Sequence, residues 1–394
     1  MPQDVRDHDL VLYGATGFVG ALTAERLAAT APAGLRWALA GRDGGKLRRL
    51  RERLAADHPA CADLPLLTVG ADDPVALREL AAGTRVVATT VGPYRDHGQE
   101  LVAACADAGT DYADLAGEPE FIDLTYVRHH ERARETGARL VHSCGFDSVP
   151  HDLGAYFTVG HLPEGVPLRV DGYVHVDAAP SGGTLASTLD IMSRPGAARA
   201  AARDRAAHEP RTAGGRRVRA PLGVPHYSGE VGAWALPLPT LDPSVVARSA
   251  RSLDRYGPDF RYRHFAAVHR LPMAFGGVAA ALALVGGAQL PPVRRGLTRL
   301  LSPGSGPDDV RRARSTFSVR FVGEGGGRRV FTEITGGDPG YGETAKILAE
   351  AALSLALDEL PATSGQVTPA VAMGDALTAR LARTGLGFRV AAVR

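Results

Sequence analysis

The chain has 394 residues, 45% of them apolar, enough to bury two ordinary cores and too many for a disordered or collagen-like polymer. A formal net charge of +2 supplies no basic field for nucleic acid, so no nucleic-acid partner is expected. Only Lys46 and Lys346 are lysines among 45 basic residues, a skew that fits a GC-rich genome and makes those two more informative than any arginine count.

In chain order, residues 9–150 alternate short apolar runs with helical stretches. "DLVLYG" reads as a buried strand and Phe18 to Ala31 as a helix. Further strands are predicted at 35–41, 64–72, 85–92, 111–117 and 138–146, with a helix of about 119–136 before the last. Apolar strands separated by helices predict an α/β fold: a Rossmann-like, doubly wound parallel sheet over residues 1–150.

From residue 151 the pattern changes. "LRVDGYVHVDA" (168–178) alternates like a half-exposed antiparallel strand, and 315–323 with 328–337 reads as a hairpin around "EGGG". A helix of about 341–358 follows, so residues 151–365 are expected to form an α+β substrate domain with a mostly antiparallel sheet. The tail, 366–394, is a helix and a last strand that packs back on the first domain in this reading.

Residues 194–219 carry eight arginines, read as a solvated helix and loop in preference to a site for an anionic partner. Residues 271–293 contain no charge, but proline and glycine interrupt them, which favours a buried or membrane-surface helix over a span. Cys61, Cys105 and Cys144 lie far apart without a CxxC pair, so neither a disulfide framework nor a metal is expected. With a polar start instead of a signal peptide, the expected location is cytoplasmic, peripheral to a membrane if 271–293 meets lipid.

"GATGFVG" follows a predicted strand and opens a helix, the context a dinucleotide loop requires. Gly14 permits the turn, Gly17 lets amides approach a pyrophosphate and Gly20 lets the helix pack on the strand. Ala15, Thr16, Phe18 and Val19 complete the loop and the positive helix end. NAD binders place an acid about twenty residues on, at the end of the second strand. Here Arg42 stands there and Lys46 follows four residues later, a pattern suited to a 2′-phosphate. Asp43 is the competing residue. NADP(H) is the expected cofactor. Asp72 at the third strand's end is placed near the adenine, and Thr90, Val91, Gly92, Pro93 and Tyr94 after the fourth beside the nicotinamide ribose.

"GATGFVG", "AGR", "VGPYRDHGQELVAACADAGTDYADLAGE", "SCGFDSVPHDLG" and "GDPGYGETAKILAEAAL" together resemble the saccharopine dehydrogenase-like oxidoreductases, nearest to the trans-acting enoyl reductase branch. The likeness runs along nearly the whole chain, and 85–155 and 336–355 carry more of it than the glycine loop. It implies an N-terminal Rossmann domain, a C-terminal substrate domain and hydride transfer. The apolar run at 271–293 suits a lipidic acyl substrate, which an acyl carrier protein would present, and a homodimer through the second domain's sheet fits such a fold.

Hydride transfer asks the protein for orientation and for a polarising or proton-donating group. Tyr94 has two roles open to it, donation to a substrate carbonyl or packing on the nicotinamide ring. Asp147 and Ser148 precede Pro150 and a helix start, where they either cap that helix or position substrate. His97, Asp114 and Glu118 read as surface or supporting residues, and "SGGT" (181–184) and 337–344 as small-residue loops that open helices, either binding a substrate carbonyl or phosphopantetheine phosphate through their amides or serving only as tight turns. The competing functions are a dehydrogenase of an amino-acid-derived substrate and a non-catalytic NADP-binding protein at a lipid surface.

Overall fold

The computed structural model describes residues 6–178, 194–210, 213–270 and 309–394. The chain forms two compact units: residues 1–145, 200–208 and 341–380 make one, and 146–199, 209–340 and 381–394 the other. In order, the first stretch runs β1 (His8–Tyr13), α1 (Phe18–Thr30), β2 (Trp37–Gly41), α2 (Gly44–Asp57), β3 (Leu66–Thr68), α3 (Pro74–Ala82), β4 (Thr84–Thr89), α4 (Tyr94–His97), α5 (Gln99–Ala108), β5 (Asp111–Asp114), α6 (Pro119–Thr136) and β6 (Arg139–Val141). Then come α7 (Val149–Gly160), β7 (Leu168–Asp177), α8 (Pro195–His208), β8 (Arg217–Arg219), β9 (His226–Ser228), β10 (Ala233–Pro237), α9 (Asp242–Ser252), β11 (Asp259–Val268), α10 (Asp309–Arg314), β12 (Thr316–Gly325) and β13 (Arg328–Gly336). The chain closes with α11 (Gly342–Leu357), β14 (Gly365–Val367), α12 (Pro369–Ala372), α13 (Gly374–Arg383) and β15 (Gly387–Val393).

The first unit is a seven-stranded sheet in the order β14-β6-β5-β4-β1-β2-β3, parallel at every pairing. Leu10, Val11 and Leu12 of β1 are wholly buried, because a central parallel strand is covered on both faces and its apolar residues need not alternate. One of the covering helices is α11. It is apolar on nearly every side, and it docks on α1 through Arg26 Nη2–Glu350 Oε1 at 3.1 Å and the edge-on pair Phe18–Tyr341 at 4.9 Å.

The domain boundaries at 150 and 365 need correction. Helix 341–358, read as part of the second domain, packs in the first unit, and β14 adds the sheet's seventh strand there. Of the tail, residues 366–380 belong to the first unit, whereas β15 pairs with β13 in the second. The stretch at 194–219 is likewise not uniformly solvated. Arg205 is buried, donating to Gln366 Oε1 at 2.7 Å and lying 4.1 Å over the Tyr126 ring.

The second unit is built on the sheet β15-β13-β12-β7-β11-β10-β9, with β8 beside β11. Only β7/β11 and β8/β11 pair in parallel, so the sheet is mixed and mostly antiparallel. Helix α7 covers its inner face. Gly154 makes the close approach possible, since a Cβ there would stand 2.3 Å from the Phe321 ring. The predicted segments at 181–184 and 271–293 lie outside the described residues. Among the described residues, no helix is long and apolar enough to cross a membrane.

Candidate functional site

Between β1 and α1 the backbone turns through Gly14, at φ +83°, a left-handed value that disfavours any side chain. A Cβ on Gly14 would lie 2.6 Å from Val91 Cγ2, and one on Gly20 only 2.2 Å from Gly14 O. The Thr90 hydroxyl donates to Gly14 O at 3.0 Å, so the end of β4 fixes the loop. Gly17 differs: its Cβ would meet only Gly14 O, at 3.4 Å, with open space beyond. No side chain caps α1 and no acid occupies its first turn. The amide end of a thirteen-residue helix is therefore left for an anion, and the loop fits a dinucleotide pyrophosphate.

Arg42 and Lys46 are both exposed just past β2. Asp43, the residue that would favour NAD, is spent elsewhere. It caps α2, its Oδ1 accepting from Lys46 N at 3.0 Å, and that bond holds its carboxyl below the usual range. Asp72 is exposed as well. Burial pushes the Tyr13 hydroxyl up to about 12, with the Asp72 charge adding to the rise and Arg42 opposing it, which places both charges at the carboxyl edge of β1.

After β4, Gly92 and Pro93 are exposed and Val91 half-buried, as a cofactor-lining strand end requires. Tyr94 turns inward instead. Its hydroxyl donates to Thr89 O at 3.1 Å and accepts from Leu115 N at 3.1 Å. Burial first, then Asp114, raises it well above the ordinary tyrosine value. In this structure the Tyr94 proton goes to Thr89 O and the side chain is buried, an arrangement that favours a structural task over donation to a substrate carbonyl. Glu118 explains the inward turn: its two oxygens accept from Tyr94 N and Arg95 N at 2.9 Å each, capping α4. His97 is exposed.

Sequence reading missed the polar chain behind these loops. Asp114 accepts from Tyr112 Oη at 2.9 Å, from Ser143 N at 2.8 Å and from the His142 ring at 2.7 Å. His142 continues to Thr125 at 3.2 Å, and Thr125 accepts from Gln366 at 3.0 Å. Apart from Tyr112–Asp114, the links join strand ends and helices far apart in sequence, so local spacing does not announce them.

Asp147 and Ser148 belong to the second unit. Ser148 takes the N-cap position of α7, but its hydroxyl makes no cap bond and is wholly buried without a protein partner. Asp147 is exposed, yet the surrounding protein and then the Asp242 charge push its carboxyl up to about 6. One turn into α7, His151 stands 4.9 Å ring to ring from His264 of β11. Burial lowers both imidazoles to about 3 and keeps them neutral.

Residues 10–141 match the family model of the saccharopine dehydrogenase NADP binding domain. Over 98% of this chain and 97% of the relative, the sequence is 39% identical to a Mycobacterium tuberculosis protein named "Putative trans-acting enoyl reductase". It is 36% identical to the trans-acting enoyl reductase of Mycobacterium ulcerans over 97% of each chain. The chain belongs to the saccharopine dehydrogenase-like oxidoreductases, in the branch of the trans-acting enoyl reductases. Its fold is that of the yeast saccharopine dehydrogenase (L-Glu forming), at a TM-score of 0.55 and 12% identity over 97% of this chain and 99% of that one. As a member of this family it is an NADP-dependent oxidoreductase.

Within the first unit, the structure brings together Gly14, Gly17, Gly20, Thr90 and Val91 around one turn, with Arg42, Lys46 and Asp72 at the same edge of the sheet. Family membership and this constellation agree on the cofactor, NADP(H).

Proposed function

We propose that the chain reduces the carbon–carbon double bond of an α,β-unsaturated thioester from lipid or polyketide assembly, presented on an acyl carrier. The observation that carries this reading is end-to-end similarity to trans-acting enoyl reductases, 39% and 36% identical over at least 97% of the chain. Bound NADPH supplies the hydride that the β-carbon accepts. The turn at Gly14–Gly20 would hold the pyrophosphate, Arg42 and Lys46 would hold the 2′-phosphate, and Thr90 to Pro93 would line the ribose. The α-carbon needs a proton, and Asp147, with its carboxyl near 6, is the assigned donor. Ser148, whose hydroxyl has no partner, is assigned to positioning.

The test is NADPH oxidation with enoyl thioesters on pantetheine, coenzyme A and carrier, beside 2-oxo acids mixed with amines. Turnover is expected with the thioesters alone. Turnover confined to the oxo-acid and amine mixtures would move the chain to amino-acid chemistry. Tight NADPH binding with no turnover on either set would overturn the enzyme assignment.

A further inference from the structure

In the second unit, three elements converge on one buried polar cluster. His151 comes from the first turn of α7, Asp242 from the start of α9 and His264 from the middle of β11. Their exposures are 2%, 4% and 3%. It is the one group of three or more histidine, cysteine and acidic side chains among the described residues whose ligand atoms lie within 4.8 Å of one another.

The spacing is unusual for hydrogen bonding. His151 Nε2 is 3.6 Å from Asp242 Oδ1, and His264 Nε2 is 3.5 Å from Asp242 Oδ2. The same chain shows what a buried His–Asp hydrogen bond looks like: His142 and Asp114 meet at 2.7 Å. In the second unit the atoms stand back. His264 Nε2, Asp242 Oδ1 and His151 Nδ1 are all buried without a protein partner. Orphaned buried polar atoms are costly, and one on each of three side chains whose ligand atoms lie within 4.8 Å of one another calls for a missing partner.

The separations suit a cation. Ligands about 2.0–2.1 Å from a tetrahedral zinc ion lie about 3.4 Å from one another. The outer contacts also fit. Tyr262 Oη shares a hydrogen bond with His264 Nδ1 at 2.9 Å, which leaves Nε2 facing the cluster, and the Thr240 hydroxyl donates to Asp242 Oδ2. Such partners orient metal-binding side chains.

We propose that His151, Asp242 and His264 bind one divalent cation of the zinc class, joining α7, α9 and β11. Two neutral imidazoles and a carboxylate are a common zinc set, and three protein ligands leave a fourth position for water or another oxygen. Cysteine spacing gave no hint of this site, because its ligands are histidines and an aspartate brought together only by the fold.

The test uses tag-free, full-length protein, stripped with a chelator and titrated with Zn2+ and, separately, Co2+. One equivalent per chain is expected, with the intense visible bands of tetrahedral Co2+. Tyr262→Phe, which removes only an outer partner, is expected to weaken binding about 10-fold. Asp242→Asn and His264→Gln are expected to weaken it further. Substoichiometric uptake by the folded wild-type protein, or variants that bind as tightly as wild type, would overturn the proposal. If the variants fail to fold, the wild-type Co2+ spectrum decides: tetrahedral bands support the site, and a spectrum of aqueous Co2+ alone overturns it.

Discussion

Arg42 decides between cofactors because its neighbour cannot. Asp43 Oδ1 caps α2 by accepting from Lys46 N, so that carboxylate is partly engaged, whereas Arg42 stands exposed at the strand end. A hydrogen-bonded charge is worth about 1.5–3 kcal/mol, so Arg42→Ala is expected to raise the KM for NADPH about 10- to 100-fold and leave that for NADH unchanged. Steady-state kinetics with both cofactors checks this, and an equal loss for both would remove the 2′-phosphate assignment. Tyr94 is the opposite case, a residue in a catalytic-looking place with a structural task. Tyr94→Phe leaves Leu115 N without its acceptor, at a cost of about 1–2 kcal/mol seen in denaturant unfolding, while kcat/KM should stay within about 3-fold. A loss of a hundredfold or more with stability unchanged would restore Tyr94 as a donor. Asp147 carries the pH dependence. In the metal-free protein its folded pKa, about 6, is raised, so the protonated donor prevails below that value and kcat/KM of chelator-stripped protein should fall as pH rises through it. Asp147→Asn should give a flat, lower profile, about 100-fold or more down; an unchanged falling limb in the variant would assign the proton to another group.

At the scale of elements, two glycines three residues apart do different work. Gly20→Ala drives a Cβ to 2.2 Å from Gly14 O, so α1 must shift off β1. Overpacking of this kind costs about 1–3 kcal/mol or more, and lower stability together with weaker NADPH binding is expected. Gly17 has φ −72° and ψ 167°, which alanine adopts freely, and its Cβ meets nothing closer than 3.4 Å. Gly17→Ala should therefore keep its thermal midpoint and lose NADPH affinity, since the methyl fills the space above the amide end of α1. Thermal melts paired with cofactor titration separate the two; an equal loss of stability in both variants would mean that Gly17 serves packing alone. These glycines were legible in the sequence because each answers a local demand of a strand–turn–helix. So were central strands such as β1 and β2, since burial on both faces of a parallel sheet leaves an unbroken apolar run. What was not legible depends on distant partners. Three-residue β14 has no pattern of its own and exists because β6 offers it an edge. The apolar surface of α11 shows that the helix is buried but not against which sheet. β11 was readable and was passed over: Phe260, Tyr262 and His264 are buried between half-buried Asp259, Arg261 and Arg263, and His264 is the residue on which the buried cluster depends.

At the scale of the molecule, both units close their cores with tyrosines that cannot ionise in place. Tyr94 and Tyr112 in the first unit, and Tyr256 and Tyr262 in the second, are all raised well above the ordinary value, in each case chiefly by burial. The unfolded chain meets no such barrier and loses these protons near pH 10. A group with a raised folded pKa gives its full stability below the unfolded value and loses it as pH rises, so the protein should be indifferent to these residues at neutral pH and lose stability steeply above pH 10. Each tyrosine held neutral costs about 1.4 kcal/mol per pH unit beyond that point, and against a total of about 5–15 kcal/mol the four together exhaust the native state within a few pH units. Alkaline unfolding should therefore be cooperative, with the buried set ionising only as structure is lost. Phenolate absorbance followed beside far-ultraviolet circular dichroism tests this. If every tyrosine ionised while the dichroism stayed native, the interiors of both units would have to admit water, and the inward turn of Tyr94 at the cofactor edge would no longer hold.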